Sequence, residues 1–172
     1  GKFLIFCSAP KTSIPSDYDK IRYSLCSIPF DEETGKFGSQ VDTLISSYRT
    51  GKSVSFPRVS RDGKWLMITL SDYGNFSIWH READLYLMNM ENGTIKPVSS
   101  VNSDETESYH SWASNSNWFI FSSRRIDGLY TQPYIAWIDD NGEASKPFLL
   151  PQKNPDHYDF NLRSYNIPEL VT

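Results

Sequence analysis

Hydrophobic residues in this chain come in short blocks separated by turns rich in Gly, Asn, Asp and Ser, and helical spacing is nearly missing. The run Phe3–Ser8 is apolar throughout, as expected of a strand buried on both faces. Further strands are predicted at Ile21–Ile28, Gln40–Ile45, Val54–Val59, Trp65–Leu70, Leu85–Met90, Ile95–Val98, Tyr109–Ala113, Trp118–Ser122, Tyr134–Ile138 and Lys146–Leu149. Pro57 marks the fourth of these as bulged or edge-like, because proline cannot donate to a ladder. The eleven strands group as three, four and four, the first group lacking its opening member.

The grouping is a repeat. Ser60-Arg61-Asp62-Gly63-Lys64-Trp65-Leu66-Met67-Ile68-Thr69 is its clearest copy. Ser114-Asn115-Ser116-Asn117-Trp118-Phe119-Ile120-Phe121-Ser122 is weaker, and Gly1-Lys2-Phe3-Leu4-Ile5-Phe6-Cys7-Ser8 opens the chain with the pattern in progress. After each of the first two comes another apolar strand with a tight turn, Asn92-Gly93 or Asn141-Gly142, and then Lys96-Pro97-Val98 or Lys146-Pro147-Phe148. A period of roughly 50–60 residues made of short strands and Asn-Gly or Asp-Gly hairpins is what stacked β-sheet blades require. The fold class is therefore all-β, a β-propeller fragment of about three four-stranded antiparallel blades, at 1–53, 54–106 and 107–150, the first lacking its inner strand. A β-sandwich accounts for short strands but not for the recurrence of these units in register. Residues 151–172 depart from the pattern and read as an extended strap, ending in a strand at Tyr165–Ile167.

The unit at Ser60–Thr69, followed by Asp84-Leu85-Tyr86-Leu87-Met88-Asn89, resembles the repeat of TolB-like propellers, with Arg61 where that repeat has proline and Asn115-Ser116 where it has Asp-Gly. The resemblance covers the chain as far as Leu150. It implies a binding scaffold in the periplasm or cell envelope that presents a face or channel to a protein partner or other ligand. The same repeat occurs in the non-catalytic propellers of prolyl-oligopeptidase-type peptidases and in some polysaccharide lyases, so an enzyme or enzyme-associated propeller is the alternative.

Composition narrows the chemistry. The chain has 172 residues, 15% of them aromatic, and a net charge of −4, with no basic cluster beyond Arg124-Arg125, which argues against nucleic acid. No apolar run approaches the roughly 18 residues of a membrane helix. Cys7 and Cys26 sit in strands, to be read as small buried residues, a bonded pair or, with no histidine nearby in sequence to favour it, a catalytic thiol. No haem-attachment, nucleophile-elbow, zinc-protease, phosphate-loop or dinucleotide motif occurs, and no cofactor is expected. Propellers typically close with at least about 4 blades, so a three-blade arc predicts the C-terminal part of a longer ring, or self-association as a homodimer through exposed blade faces.

The long connections Asp72–Glu82, Ser99–Glu107 and Arg124–Thr131 are expected to share one face, and rigid scaffolds carry binding on such loops. Tyr73, Trp79, His80, Glu107, His110, Arg124 and Arg125 are the candidate contacts. His110, beside Glu105 and Glu107, is placed at the channel mouth, where a histidine acts as base or metal ligand, or is hydrogen-bonded within its strand. Arg124-Arg125 would clamp a carboxylate or brace the loop.

Overall fold

The computed structural model describes residues 1–159 and 162–170. Three antiparallel sheets follow one another along the chain, and together they form a three-blade arc of a β-propeller. The first holds β1 (Phe3–Ser8), β2 (Ser24–Asp31), β3 (Lys36–Phe37) and β4 (Asp42–Ile45). The second runs β5 (Ser53–Val59), β6 (Trp65–Ser71), β7 (Asp84–Asn89), β8 (Ile95–Pro97). The third runs β9 (Glu107–Trp112), β10 (Trp118–Ser123), β11 (Gln132–Trp137), β12 (Phe148–Leu149). In the first sheet β3 and β4 both pair with the same strand, β2, as one interrupted outer strand. That sheet therefore fills three positions, β1 matching β6 and β10, and among the described residues no strand takes its innermost position. The added element relative to the sequence reading is the break between β3 and β4.

The second strands β6 and β10 are largely apolar and buried. In contrast β1, expected to be buried on both faces, packs on one side only and leaves Phe3 and Leu4 60% and 46% exposed. Leu66, Met67 and Ile68 are all fully buried, and alternation sends Met67 toward the third blade's Phe119 and Phe121 while Leu66 and Ile68 face Leu25 and Ile45 of the first. Each such side chain contributes roughly 1.5–3 kcal/mol of burial. The hairpin ahead of β6 turns on a left-handed residue. Gly63 takes φ 76°, and in the degenerate copy Ser116 takes φ 62° in its place. Ser116 Oγ accepts from the Asp62 amide at 3.0 Å, so the two neighbouring hairpins are bonded to each other.

Each complete inner strand carries a bulge, with Phe56 at φ 51° in β5 and Tyr109 at φ 50° in β9. A bulge with positive φ re-aims its side chain, and here the two rings meet at 4.6 Å between adjacent inner strands. Cys7 and Cys26 are free thiols, and burial, with Cys26 nearby, pushes Cys7 up to about 11.

Candidate functional site

The connections between second and third strands lie side by side along one face with those entering the inner strands. The Thr106 hydroxyl donates to the Ser77 carbonyl at 3.0 Å, the Arg124 amide to the Thr106 carbonyl at 3.3 Å, and Arg81 pairs with Glu105 at 3.0 Å.

Between the first two blades this face opens into a cleft of about 370 Å³. One wall comes from the β1–β2 connection, with Ile14, Tyr18, Ile21 and Tyr23, and the other from Tyr73 to His80. The walls are tied where the Gly74 amide donates to the Ile21 carbonyl at 2.8 Å, Gly74 taking φ 65° to make the turn. Tyr73 stands at the centre, with Tyr18 edge-on at 5.9 Å and the His80 ring edge-on at 4.4 Å. His80 Nδ1 lies 3.1 Å from Glu82 Oε1, which fixes the ring in place. Phe76 and Trp79 project from the rim, 69% and 72% exposed, and the Arg124 guanidinium lies 4.4 Å from the Trp79 ring centroid. Large aromatics left in water on a rigid loop cost hydrophobic free energy until something covers them.

Of the predicted contacts, Tyr73, Trp79, His80 and Arg124 are brought together at this cleft. Glu107, Arg125 and His110 are placed elsewhere. Glu107 is fully buried; it accepts from Ser103 N at 2.8 Å, Ser103 Oγ at 2.7 Å, Ser123 Oγ at 2.7 Å and Arg125 Nη2 at 2.9 Å. Arg125 donates also to the Val101 carbonyl at 2.6 Å, and its guanidinium lies 4.5 Å from the Tyr134 ring centroid. The pair ties the end of β10 to the connection that enters β9 from the second blade.

His110 is buried rather than at a channel mouth, and its Nε2 lies 2.9 Å from the Met67 carbonyl. Burial pushes its pKa down to about 4, so the ring is neutral at pH 7 and Nε2–H donates. The nearby carboxyl the sequence did not single out is Asp84, raised to about 6 by burial and by the charge of Glu107. Among the described residues no group of three or more His, Cys, Asp or Glu gathers as a metal site.

Tyr18, Tyr23, Ile14 and Ile21 were not nominated from sequence. Their signal is an apolar residue recurring through a Pro-, Ser- and Asp-rich connection that should otherwise be polar.

No family model matches the chain. No curated protein is similar to it in sequence. Among solved structures it is similar to an oligogalacturonate lyase in complex with manganese, with TM-score 0.54, 12% identity, and coverage of 88% of this chain and 39% of that one. It is similar to the β-propeller domain of the trilobed protease from Pyrococcus furiosus, with TM-score 0.47, 13% identity and coverage of 89% and 41%. TolB from Acinetobacter baumannii gives TM-score 0.40, 10% identity and coverage of 84% and 46%. The chain thus spans less than half the length of each of these neighbours. At such identities the likeness concerns fold, which both enzymes and binding proteins share. The three sheets, with the likeness to the lyase, establish the propeller architecture.

Proposed function

We propose that this chain is a non-enzymatic propeller scaffold that binds an extended, apolar segment of a protein partner in the aromatic cleft between its first two blades. The observation that carries this reading is the cleft itself, where Phe76 and Trp79 are solvent-exposed around an ordered Tyr18–Tyr73–His80 cluster. Aromatic-lined grooves suit extended, proline-bearing segments, whose backbone is already ordered before binding. An enzyme site would need titratable groups converging where a substrate can reach them. Here the buried acid–base candidates lie apart from the cleft, with Glu107 and Arg125 paired to each other and His110 bonded to the β6 backbone. A periplasmic or envelope location fits the TolB-like repeat, and among the described residues no helix is long and apolar enough to cross a membrane.

The test is to pan a random peptide display library on the chain and measure selected peptides by titration calorimetry. Binding is expected to weaken at least about tenfold with Trp79→Ala or Phe76→Ala, the loss typical of an aromatic anchor, and to persist with Trp137→Ala on the far blade. Turnover of oligogalacturonate or of a prolyl peptide by the chain, abolished by Asp84→Asn or Glu107→Gln, would replace this reading with the enzymatic one.

A further inference from the structure

Arg124 stands at the rim of the aromatic cleft without an anion. It opens the connection after β10, where its amide donates to the Thr106 carbonyl at 3.3 Å and its carbonyl accepts from the Gly128 amide at 2.8 Å. Main-chain bonds thus fix its place independently of its side chain. The guanidinium lies 4.4 Å from the Trp79 ring centroid. Among the described residues no acceptor engages it. Its Nε is buried and unbonded, and the terminal nitrogens of this half-buried side chain have neither hydrogen bond nor ion pair.

The cations of the surrounding loops differ in this respect. Arg125 is bound to Glu107 at 2.9 Å, Arg81 to Glu105 at 3.0 Å and Lys52 to Asp72 at 2.5 Å. The remaining carboxylate of the rim, Glu82, accepts from the Asp72 amide at 3.0 Å and lies 3.1 Å from His80 Nδ1. The protein therefore balances its charges at this face and leaves Arg124 over. With one donor already stripped of water and a face covered by Trp79, its guanidinium loses little further hydration when a carboxylate arrives.

We infer that the segment bound in the cleft carries an acidic side chain whose carboxylate seats on the Arg124 guanidinium. The inference rests on the reading of the cleft as a peptide site and adds the charge of its occupant. Trp79 is the shared element, since it lines the cleft and touches Arg124. An apolar residue covering Trp79 thus brings its sequence neighbours within reach of the cation. A side chain suits this arrangement better than a chain terminus. Arg124 does not itself line the cleft, and a flexible Asp or Glu reaches past the ring while the backbone stays between the walls. The chain's net charge of −4 makes the attraction local to this one residue rather than a property of the whole surface.

The probe is a peptide selected from the display library whose binding to the full chain depends on Trp79. It should contain an Asp or Glu close to its aromatic or aliphatic anchor. Replacing that acid by its amide should weaken binding about tenfold, as expected for a charged hydrogen bond. Arg124→Gln should weaken it by the same factor, and the two changes together by no more than either alone. The peptide change leaves the protein intact, so it stands even where the Arg124 variant folds poorly. Amidating the peptide's C-terminus should leave the affinity unchanged. Binding that needs Trp79 but is indifferent to both changes, effects of the two that simply add, or a loss on amidation would overturn the inference and leave the peptide site in place. Failure to select any Trp79-dependent peptide would remove that site and this inference with it.

Discussion

The two seams between blades are both apolar at depth and differ in what the loops above them hold. Val54 and Glu107 occupy equivalent inner-strand positions, and both are fully buried. Around Val54 the seam fills with Leu25, Ile45, Leu66, Ile68 and Leu70, and the loops above it leave an aromatic cleft. Around Glu107 the loops converge on a carboxylate bound by Ser103, Ser123 and Arg125. A seam whose polar groups satisfy one another is closed to ligands, since anything entering must break bonds made in a poorly solvated place. A seam capped by aromatics with few polar partners of their own stays available. The charged residues that look chemical in the sequence are thus the structural ones, and the aromatics are the candidates for contact.

The largest expected effect strikes the closed seam. Glu107→Ala removes a fully buried carboxylate and leaves the part-buried Arg125 without its partner, and should cost about 3 kcal/mol in urea unfolding. A loss under about 1 kcal/mol would mean the seam is not held by this pair. Gly142 tests the packing beneath it. The residue has φ 76°, and an added Cβ would come 2.7 Å from the Trp65 ring and 2.9 Å from Leu87. Gly142→Ala should cost roughly 2–4 kcal/mol. Gly93→Ala, the same turn in the second blade with its nearest neighbour at 3.9 Å, should cost only about 1 kcal/mol.

His110 ties the third blade's inner strand to β6, and its folded pKa of about 4 lies below that of a free histidine. The unfolded chain takes up this proton first as pH falls. Stability present above pH 6.5 should therefore decline by up to roughly 3 kcal/mol as pH drops toward 4. His110→Gln should flatten that part of the profile. Asp84 acts in the other sense, because its carboxyl is raised to about 6 and the folded state holds the proton more tightly. Its contribution is favourable below about pH 4 and is lost as pH rises through 6. Asp84→Asn should then stabilise the protein at pH 7.5 by about 1 kcal/mol, since the group is only partly buried and water screens part of the shift. The gain should vanish near pH 4, and thermal melts across pH check both signs. At the open seam, Trp79→Ala should change stability by no more than about 0.5 kcal/mol.

The blades were legible in the sequence because hairpin chemistry and strand alternation are local. Asp62-Gly63, Asn92-Gly93 and Asn141-Gly142 each demand a left-handed residue, and the structure supplies it at all three glycines. Serine took the same conformation at Ser116, which explains how the degenerate copy still turns. The site was legible only in part. Tyr73, Trp79 and His80 stand close together in one connection, whereas Tyr18 and Tyr23 reach the cleft from the neighbouring blade, a contact set by how blades stack rather than by spacing. Glu107 opens β9 and Arg125 lies in the connection after β10, and nothing local says that they meet. The strand expected at Tyr165–Ile167 is not formed; the segment stays extended, with the Tyr165 amide bonded to the Thr131 carbonyl.

Hydrogen exchange of the chain, alone and with a library-selected peptide, reads the contrast between the seams directly. Protection is expected in 14–23 and 73–80, with 99–107 and 124–131 unchanged beyond the Arg124 side that touches Trp79. Protection centred on Ser103–Glu107 and Arg125, leaving the aromatic loops untouched, would contradict the assignment of the open seam as the binding site.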